Sequence, residues 1–219
     1  MKGIYFILIP VIVGIILGLY IINNSVSNSI NDESSFTKTQ LLNNGSPKIG
    51  DNDAEISIVE FGDYQCTFCY KFHQNTLSDI KIQYIDSGKS NYVYRDFPLN
   101  GPDSIFAAEA SYCAADQEKY WQYHNILFDN WAGEKTGWIN MDSLVRFAIQ
   151  AELNIDEFKN CLSTHKYYQK VIDNENYAKK LGINATPSFL IFNNEEVIRI
   201  IGSQSLEKFQ NAIDQLISK

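Results

Sequence analysis

The chain has 219 residues, of which 26 are acidic and 18 are basic, so its formal net charge is −8. Because no cluster of lysine and arginine stands out against this acidic balance, the composition argues against nucleic-acid binding. The length suits one domain with appended segments and is sufficient for a sizeable hydrophobic core.

The N-terminal segment, residues 3–22, contains no charged residue and is mostly apolar. A run of this length can cross a bilayer as a helix, so we predict a transmembrane signal-anchor over residues 1–22. Lys2 precedes the run whereas Asp32 and Glu33 follow it, which places the N-terminus in the cytoplasm and the rest of the chain outside. A cleaved signal peptide is the alternative, although no Ala-x-Ala-like cleavage site follows the run.

Residues 23–47 are rich in asparagine and serine and lack apolar periodicity, which predicts a flexible linker. The predicted folded domain then covers residues 48–219. It opens with a strand over residues 54–61, a helix that reaches about Tyr84, and a second strand over residues 92–97. This order implies a right-handed crossover and a parallel pair of strands.

A long helical region follows, and we predict it as an insertion over about residues 103–181. Its predicted helices cover residues 104–116, 119–128, 141–150, 155–162 and 167–181. The chain ends with strands over residues 188–192 and 197–201, joined by a tight turn into an antiparallel hairpin, and a helix over residues 205–218. The sum is an α/β fold of the order βαβ, inserted helices, ββα.

The motif Cys66-Thr67-Phe68-Cys69 lies between the first strand and the first helix. At a helix N-terminus the backbone N–H groups and the helix dipole favour a thiolate, the form that attacks disulfides. We therefore predict Cys66 as the nucleophile and Cys69, one turn further, as the buried resolving thiol. Such a dithiol needs no bound cofactor. A static disulfide or two unpaired core thiols are the alternatives.

Glu60 precedes Cys66 by six residues and shares a strand face with Ile56 and Ile58. A carboxylate buried beneath a dithiol has a raised pKa, so we predict that Glu60 exchanges a proton with Cys69. A glutamate that reaches solvent or forms a salt bridge is the alternative. A zinc site is not expected, because the sequence has no second close pair of cysteines.

Three segments together resemble DsbA-like thiol:disulfide oxidoreductases, whose thioredoxin fold carries an inserted helical domain. They are residues 58–69 (IVEFGDYQCTFC), residues 114–124, which contain AADQ, YW and YH, and residues 182–189 (GINATPSF). The resemblance covers about residues 48–217. It implies an extracytoplasmic thiol:disulfide oxidoreductase, most simply a dithiol oxidase. A reductase or isomerase on the same residues, or a non-catalytic binding module on the same fold, are the alternatives.

The resemblance also implies roles for residues outside the motif. The Thr186–Pro187 bond would be cis and lie against the two cysteines, which leaves the Thr186 backbone free to pair with an extended substrate. We assign Thr67 and Phe68 to substrate contacts as well. In some relatives two further cysteines form a structural disulfide, and Cys113 and Cys161 would do so here; two buried free thiols are the alternative.

The implied partners are exported proteins with cysteines, a membrane protein that reoxidises the dithiol, and the membrane itself through the N-terminal helix. We expect a monomer, because no dimerisation domain is evident. One departure from the family concerns Thr67 and Phe68, since relatives often have proline at the first position and some oxidases have histidine at the second. Phe68 cannot stabilise a thiolate by charge, so we expect the pKa of Cys66 to be less depressed than in the most oxidising relatives.

Overall fold

The computed structural model describes residues 38–218. The predicted anchor over residues 1–22 therefore lies outside the described residues, as does most of the predicted linker. Within residues 38–218, no helix has both the length and the apolar character needed to cross a membrane. The chain divides into two units, Met1–Leu41 and Leu42–Lys219, and the sheet and the helices from Thr67 onward belong to the second.

The centre of this unit is a five-stranded sheet. The strands are β1 (Ile49–Gly50), β2 (Ile56–Gly62), β3 (Ser90–Asp96), β4 (Ser188–Phe192) and β5 (Val197–Ile201). They lie in the order β1-β3-β2-β4-β5. As the crossover predicted, β2 and β3 are parallel, whereas β1–β3, β2–β4 and β4–β5 are antiparallel.

α1 (Lys38–Leu42) belongs to the first unit except for its last residue. The helices that surround the sheet are α2 (Thr67–Phe72), α3 (Ser78–Ile80), α4 (Pro102–Ala115), α5 (Tyr120–Asp129), α6 (Met141–Gln150), α7 (Ile155–Ser163), α8 (Tyr168–Lys180) and α9 (Leu206–Ile217). The π-helical turn His73–Leu77 joins α2 to α3, and a second π-helical turn, Lys81–Ile85, follows α3, so that all four form one helical run. With α4 to α8 between β3 and β4, the chain has the thioredoxin-like α/β fold with a helical insertion.

The core is thickest around β2, whose seven residues are all buried. A strand that is paired on both edges and packed against other elements on both faces has all of its side chains buried. On one face, Phe72 of α2, Phe189 of β4 and Phe209 of α9 pack with ring centroids 4.5–5.3 Å apart. This packing holds the start of the first helical run against the central strands.

The folded unit begins earlier than the sequence predicted. Ser46 donates its backbone N–H to the Tyr94 carbonyl (2.8 Å), and its hydroxyl accepts the Tyr94 N–H (2.9 Å). The Trp121 indole donates to the Pro47 carbonyl (2.8 Å). The flexible linker predicted over residues 23–47 is therefore wrong at its C-terminal end. These contacts use backbone groups, one hydroxyl and one indole N–H, so no pattern of apolar residues in the sequence predicts them. The two-residue strand β1 was not predicted either, because it has no such pattern.

Candidate active site

The two cysteines of the motif lie where β2 gives way to α2. Cys66 is the N-cap residue of α2, with an extended backbone, and both thiols are free. The preceding turn is held by Asp63, whose carboxylate accepts the backbone N–H of Gln65 (2.8 Å) and of Asn100 (2.7 Å). The Asp63 carbonyl also accepts the Cys66 N–H (3.0 Å). Cys66 is thereby fixed at the junction between β2 and α2.

The environment of Cys66 favours its thiolate. The pKa of Cys66 falls from 9.0 to about 6, first because the Cys69 thiol hydrogen-bonds to it. The Thr186 side chain and the backbone N–H groups of Cys69 and Phe68 lower this pKa further, whereas burial opposes them. The value lies well above ~3.5, the lowest seen in such motifs. It therefore agrees with the expectation from the residues between the cysteines.

Cys69 is the deeper thiol, with no exposed surface, whereas Cys66 retains 5% of its own. Burial raises the pKa of Cys69 well above its usual value, and the hydrogen bond that it gives to Cys66 adds to the effect. The Asp63 backbone N–H points at the Cys69 sulfur (3.5 Å). Near neutral pH the pair thus consists of a Cys66 thiolate and a Cys69 thiol.

Glu60 lies in the middle of β2 and has no exposed surface. In the parallel register Ile58 pairs with Tyr92, so Tyr92 shares the face of Glu60, and its hydroxyl donates to the Glu60 Oε2 atom. Burial raises the pKa of Glu60 to about 8, the Tyr92 hydrogen bond opposes this shift, and the charge of Cys66 adds to it. The Glu60 Oε1 atom has no hydrogen-bond partner among the described residues. Glu60 is thus a neutral acid near pH 7.

The segment before β4 completes this group. The Thr186–Pro187 peptide bond is cis. The Cys66 sulfur lies 3.3 Å from the Thr186 carbonyl oxygen, to which it donates when it is protonated, so residues 120 positions apart in the chain are brought together. Phe189, two residues after Pro187, pairs with Glu60 in the sheet. The structure therefore brings the two cysteines, Glu60, Thr186 and Pro187 to one region.

Thr67 and Phe68, predicted as substrate contacts, have different surroundings. The Phe68 ring is 55% exposed, and the Lys71 ammonium lies 5.3 Å from its centroid. The Thr67 backbone N–H donates to the Glu134 carboxylate (2.8 Å). The sequence did not predict Glu134 or Tyr92 near the site. The position of Tyr92 beside Glu60 could have been inferred from a parallel register of the first two predicted strands. No feature of the sequence around Glu134 indicates that it lies near the site.

Cys113 and Cys161 lie apart from this group. They form a disulfide between α4 and α7, with an S–S distance of 2.05 Å and a Cα–Cα distance of 5.8 Å. Cys113 is 1% exposed and Cys161 is 7% exposed. Among residues 38–218, no three His, Cys, Asp or Glu side chains are grouped so as to hold a metal ion.

A buried polar chain runs behind the motif. The Tyr64 hydroxyl hydrogen-bonds His124 Nδ1 (2.8 Å), and His124 Nε2 hydrogen-bonds His73 Nε2 (2.8 Å). Burial lowers the pKa of His73 to about 3 and that of His124 well below its usual value. Both rings are therefore neutral near pH 7, and neither supplies a positive charge to the Cys66 thiolate.

Comparison with known proteins agrees with this geometry. A family model described as "Thioredoxin" matches residues 42–215. The chain is 26% identical to the probable disulfide bond formation protein D of Bacillus anthracis over 205 residues, 92% of each chain. It is 28% identical to disulfide bond formation protein D of Bacillus subtilis over 158 residues, 71% of this chain and 70% of that one.

Solved structures give the same result. The crystal structure of Wolbachia pipientis alpha-DsbA1 is 33% identical, superposes with a TM-score of 0.68, and covers 77% of this chain and 89% of that one. Its name joins those of the Bacillus relatives in pointing to disulfide chemistry. The chain belongs to the thioredoxin family and, within it, is a DsbA-like thiol:disulfide oxidoreductase.

Proposed function

We propose that the protein is a dithiol oxidase that transfers the Cys66–Cys69 disulfide to exported proteins outside the cytoplasm. The observation that carries this proposal is the lowered pKa of Cys66, about 6. A stabilised Cys66 thiolate favours the reduced enzyme, and when the reduced form is stable the disulfide form is a strong oxidant. The names of the Bacillus relatives, disulfide bond formation proteins, support the same direction.

In the first step, a substrate thiolate attacks the Cys66 sulfur of the oxidised enzyme. A bond forms between substrate and Cys66, the Cys66–Cys69 bond breaks, and Cys69 leaves with the electron pair. Because the pKa of Cys69 is well above its usual value, this thiolate takes up a proton. We assign that proton to Glu60, whose pKa of about 8 keeps it protonated near neutrality. Once ionised, Glu60 raises the pKa of Cys69 by its negative charge.

In the second step, another substrate thiolate attacks the substrate sulfur of the mixed disulfide. The substrate disulfide forms and Cys66 leaves as a thiolate. The low pKa of Cys66 makes it a good leaving group, which speeds this step. Two electrons pass from two substrate thiols to the enzyme disulfide, which becomes the dithiol, and the scheme uses no bound cofactor.

Substrate contacts are proposed on both sides of Cys66. The Thr186 backbone lies beside the reactive sulfur just before β4 begins, where an extended peptide can add as a strand. Thr67 and the exposed Phe68 offer a polar and an apolar contact on the other side. Main-chain pairing with one apolar contact suits unfolded chains of varied sequence, which are the substrates that we propose.

The proposed location is the outer side of a membrane. Residues 1–22 would anchor the chain, and this role rests on their length and apolar character. After each turnover the enzyme holds a dithiol, so a membrane partner must accept two electrons to restore the disulfide. We propose that the enzyme acts as a monomer between substrate and this partner.

The reduction potential of the Cys66–Cys69 pair tests the direction of transfer. The full-length protein in detergent would be equilibrated with glutathione buffers, and its redox state read by thiol alkylation. A potential near or above ~−180 mV, the range of disulfide isomerase and DsbA, is expected for an oxidase. A potential near ~−270 mV, that of thioredoxin, would contradict the proposal and indicate a reductase.

A further inference from the structure

A loop from the inserted helices lies against both chain neighbours of Cys66. We call residues 131–138, between α5 and α6, the clamp loop. The Trp131 indole N–H donates to the Gln65 carbonyl (2.8 Å), and the Lys135 backbone N–H donates to the Gln65 side-chain oxygen (2.9 Å). The Trp131 ring also stacks on Tyr70 of α2, with centroids 4.6 Å apart and planes 11° apart. The residue before Cys66 and the helix after it are therefore held by the same loop.

The clamp loop also places a carboxylate at the first turn of α2. Thr67 is the first residue of α2, so its N–H has no partner within the helix. This N–H donates to the Glu134 Oε1 atom at 2.8 Å. The backbone N–H groups of Phe68 and Cys69, by contrast, act on the Cys66 sulfur. One donor of the helix terminus is thus directed to Glu134 while two others are directed to the nucleophile.

The conformation of the clamp loop is supported from within. Gly133 and Gly137 have φ angles of 103° and 78°, which glycine adopts without strain. The Trp138 indole donates to the Gly133 carbonyl (2.9 Å), and the Thr136 hydroxyl donates to the Ala132 carbonyl (3.0 Å). Glu134 is therefore presented by a folded turn that is anchored at Gln65, although its side chain lies in an exposed position.

Charge at a helix N-terminus acts directly on a thiolate located there. Negative charge near this end is attracted by the helix, and a second negative group beside it repels the first. Glu134 and an ionised Cys66 share the N-terminus of α2. Two exposed lysines are close in the chain, Lys71 on α2 and Lys135 next to Glu134, and their positive charges reduce this repulsion without removing it.

We propose that Glu134 is a positioning residue that lowers the reduction potential of the Cys66–Cys69 pair. Its carboxylate occupies the Thr67 N–H and sets a negative charge beside the nucleophile, so the Cys66 thiolate and the reduced enzyme are less stable than the bare helix terminus would make them. The clamp loop in this way limits the oxidising strength of the site. This inference rests on the proposed role of Cys66 as the reacting thiol.

The variant Glu134→Gln tests the inference, because its amide oxygen can still accept the Thr67 N–H while the charge is lost. The measurement is the equilibrium of the full-length protein with glutathione, in which the enzyme disulfide and two glutathione thiols give the enzyme dithiol and glutathione disulfide. We expect this equilibrium constant to rise about threefold, in line with one charge at a helix end. That change corresponds to about 14 mV.

Three comparisons separate this effect from a structural one. Glu134→Asp retains the charge and should stay closer to the wild type than Glu134→Gln does. Glu55→Gln removes an exposed charge at the opposite end of β2 and should leave the equilibrium unchanged. The effect of Glu134→Gln should shrink when the salt concentration rises to 1 M, since salt screens exposed charges.

A Glu134→Gln variant with the wild-type equilibrium constant, or with a shift equal to that of Glu55→Gln, would overturn the inference. So would a shift that is independent of salt. Failure of the proposed function has a different signature, because it would appear in the wild-type potential itself, near ~−270 mV, and not in the difference between Glu134→Gln and the wild type.

Discussion

Replacement of Glu60 by glutamine tests whether the buried acid is protonated in the folded protein. The pKa of Glu60 is about 8 in the fold and 4.5 in the unfolded chain. Between these values the folded protein holds a proton that the unfolded chain releases. The free energy of unfolding of the wild type must therefore fall as the pH rises through this range. Glutamine does not titrate, so the variant lacks this contribution.

The expected magnitude follows from the width of the pH range. One proton contributes about 1.4 kcal/mol per pH unit. Between pH 5.5 and pH 7.5 the advantage of Glu60→Gln over the wild type should grow by about 2 kcal/mol. Desolvation, the largest cause of the shift, is present in the oxidised protein too, whereas the Coulombic contribution of Cys66 is not. The oxidised form is preferable for the measurement because both disulfides then stay closed.

Urea unfolding at the two pH values gives the required free energies. Any fixed effect of the new amide group on stability cancels when the two pH values are compared. Glu55→Gln, which removes an exposed acid just before β2, serves as the matched control and should show no pH-dependent difference. If the difference between Glu60→Gln and the wild type is the same at both pH values, Glu60 is ionised in the fold and its role as a proton donor is refuted.

Three further predictions concern the cysteines. Absorbance near 240 nm should titrate the Cys66 thiolate with a pKa of about 6, and a value near ~3.5 would contradict the account given by its hydrogen bonds. Cys66→Ala should abolish disulfide transfer, while Cys69→Ala should accumulate mixed disulfides on non-reducing gels; full activity of Cys66→Ala in vivo would instead favour a non-catalytic binding module. The double variant Cys113→Ala/Cys161→Ala should keep redox activity but lose about 2–5 kcal/mol of stability, because the disulfide joins residues 48 positions apart in the chain. An unchanged Tm of this variant under non-reducing conditions would argue against a stabilising disulfide.

Local patterns predicted most of the fold. The bounds predicted for Met141–Gln150, Ser188–Phe192 and Val197–Ile201 are those of the structure. Each of these segments has strong apolar patterning between clear turn residues. The π-helical turns after Phe72 were not predicted. A π-helix has about one more residue per turn than an α-helix, and over five residues this hardly changes the spacing of the apolar side chains.

The site divides in the same way between local and distant signals. The position of Cys66 at a helix start depends on a strand and a helix that are adjacent in the chain, so the sequence predicts it directly. The hydrogen bond from Tyr92 to Glu60 depends on the register of two strands, and 32 residues separate the pair. Glu134 depends on how an inserted loop folds back, which no local pattern records. Long-range partners of this kind require the three-dimensional structure.

The clamp loop also ties the stability of one region to the chemistry of another. Its hydrogen bonds to Gln65 and Thr67 join segments that are 66 to 70 residues apart in the chain. Coupling between two such regions is reciprocal, so a loop that disfavours the thiolate is itself loosened when the thiolate forms. Backbone amide exchange in residues 131–138 should therefore be faster in the reduced than in the oxidised enzyme. The redox state of the Cys66–Cys69 pair would then change how often this loop opens, although the loop is far from the two cysteines in the chain.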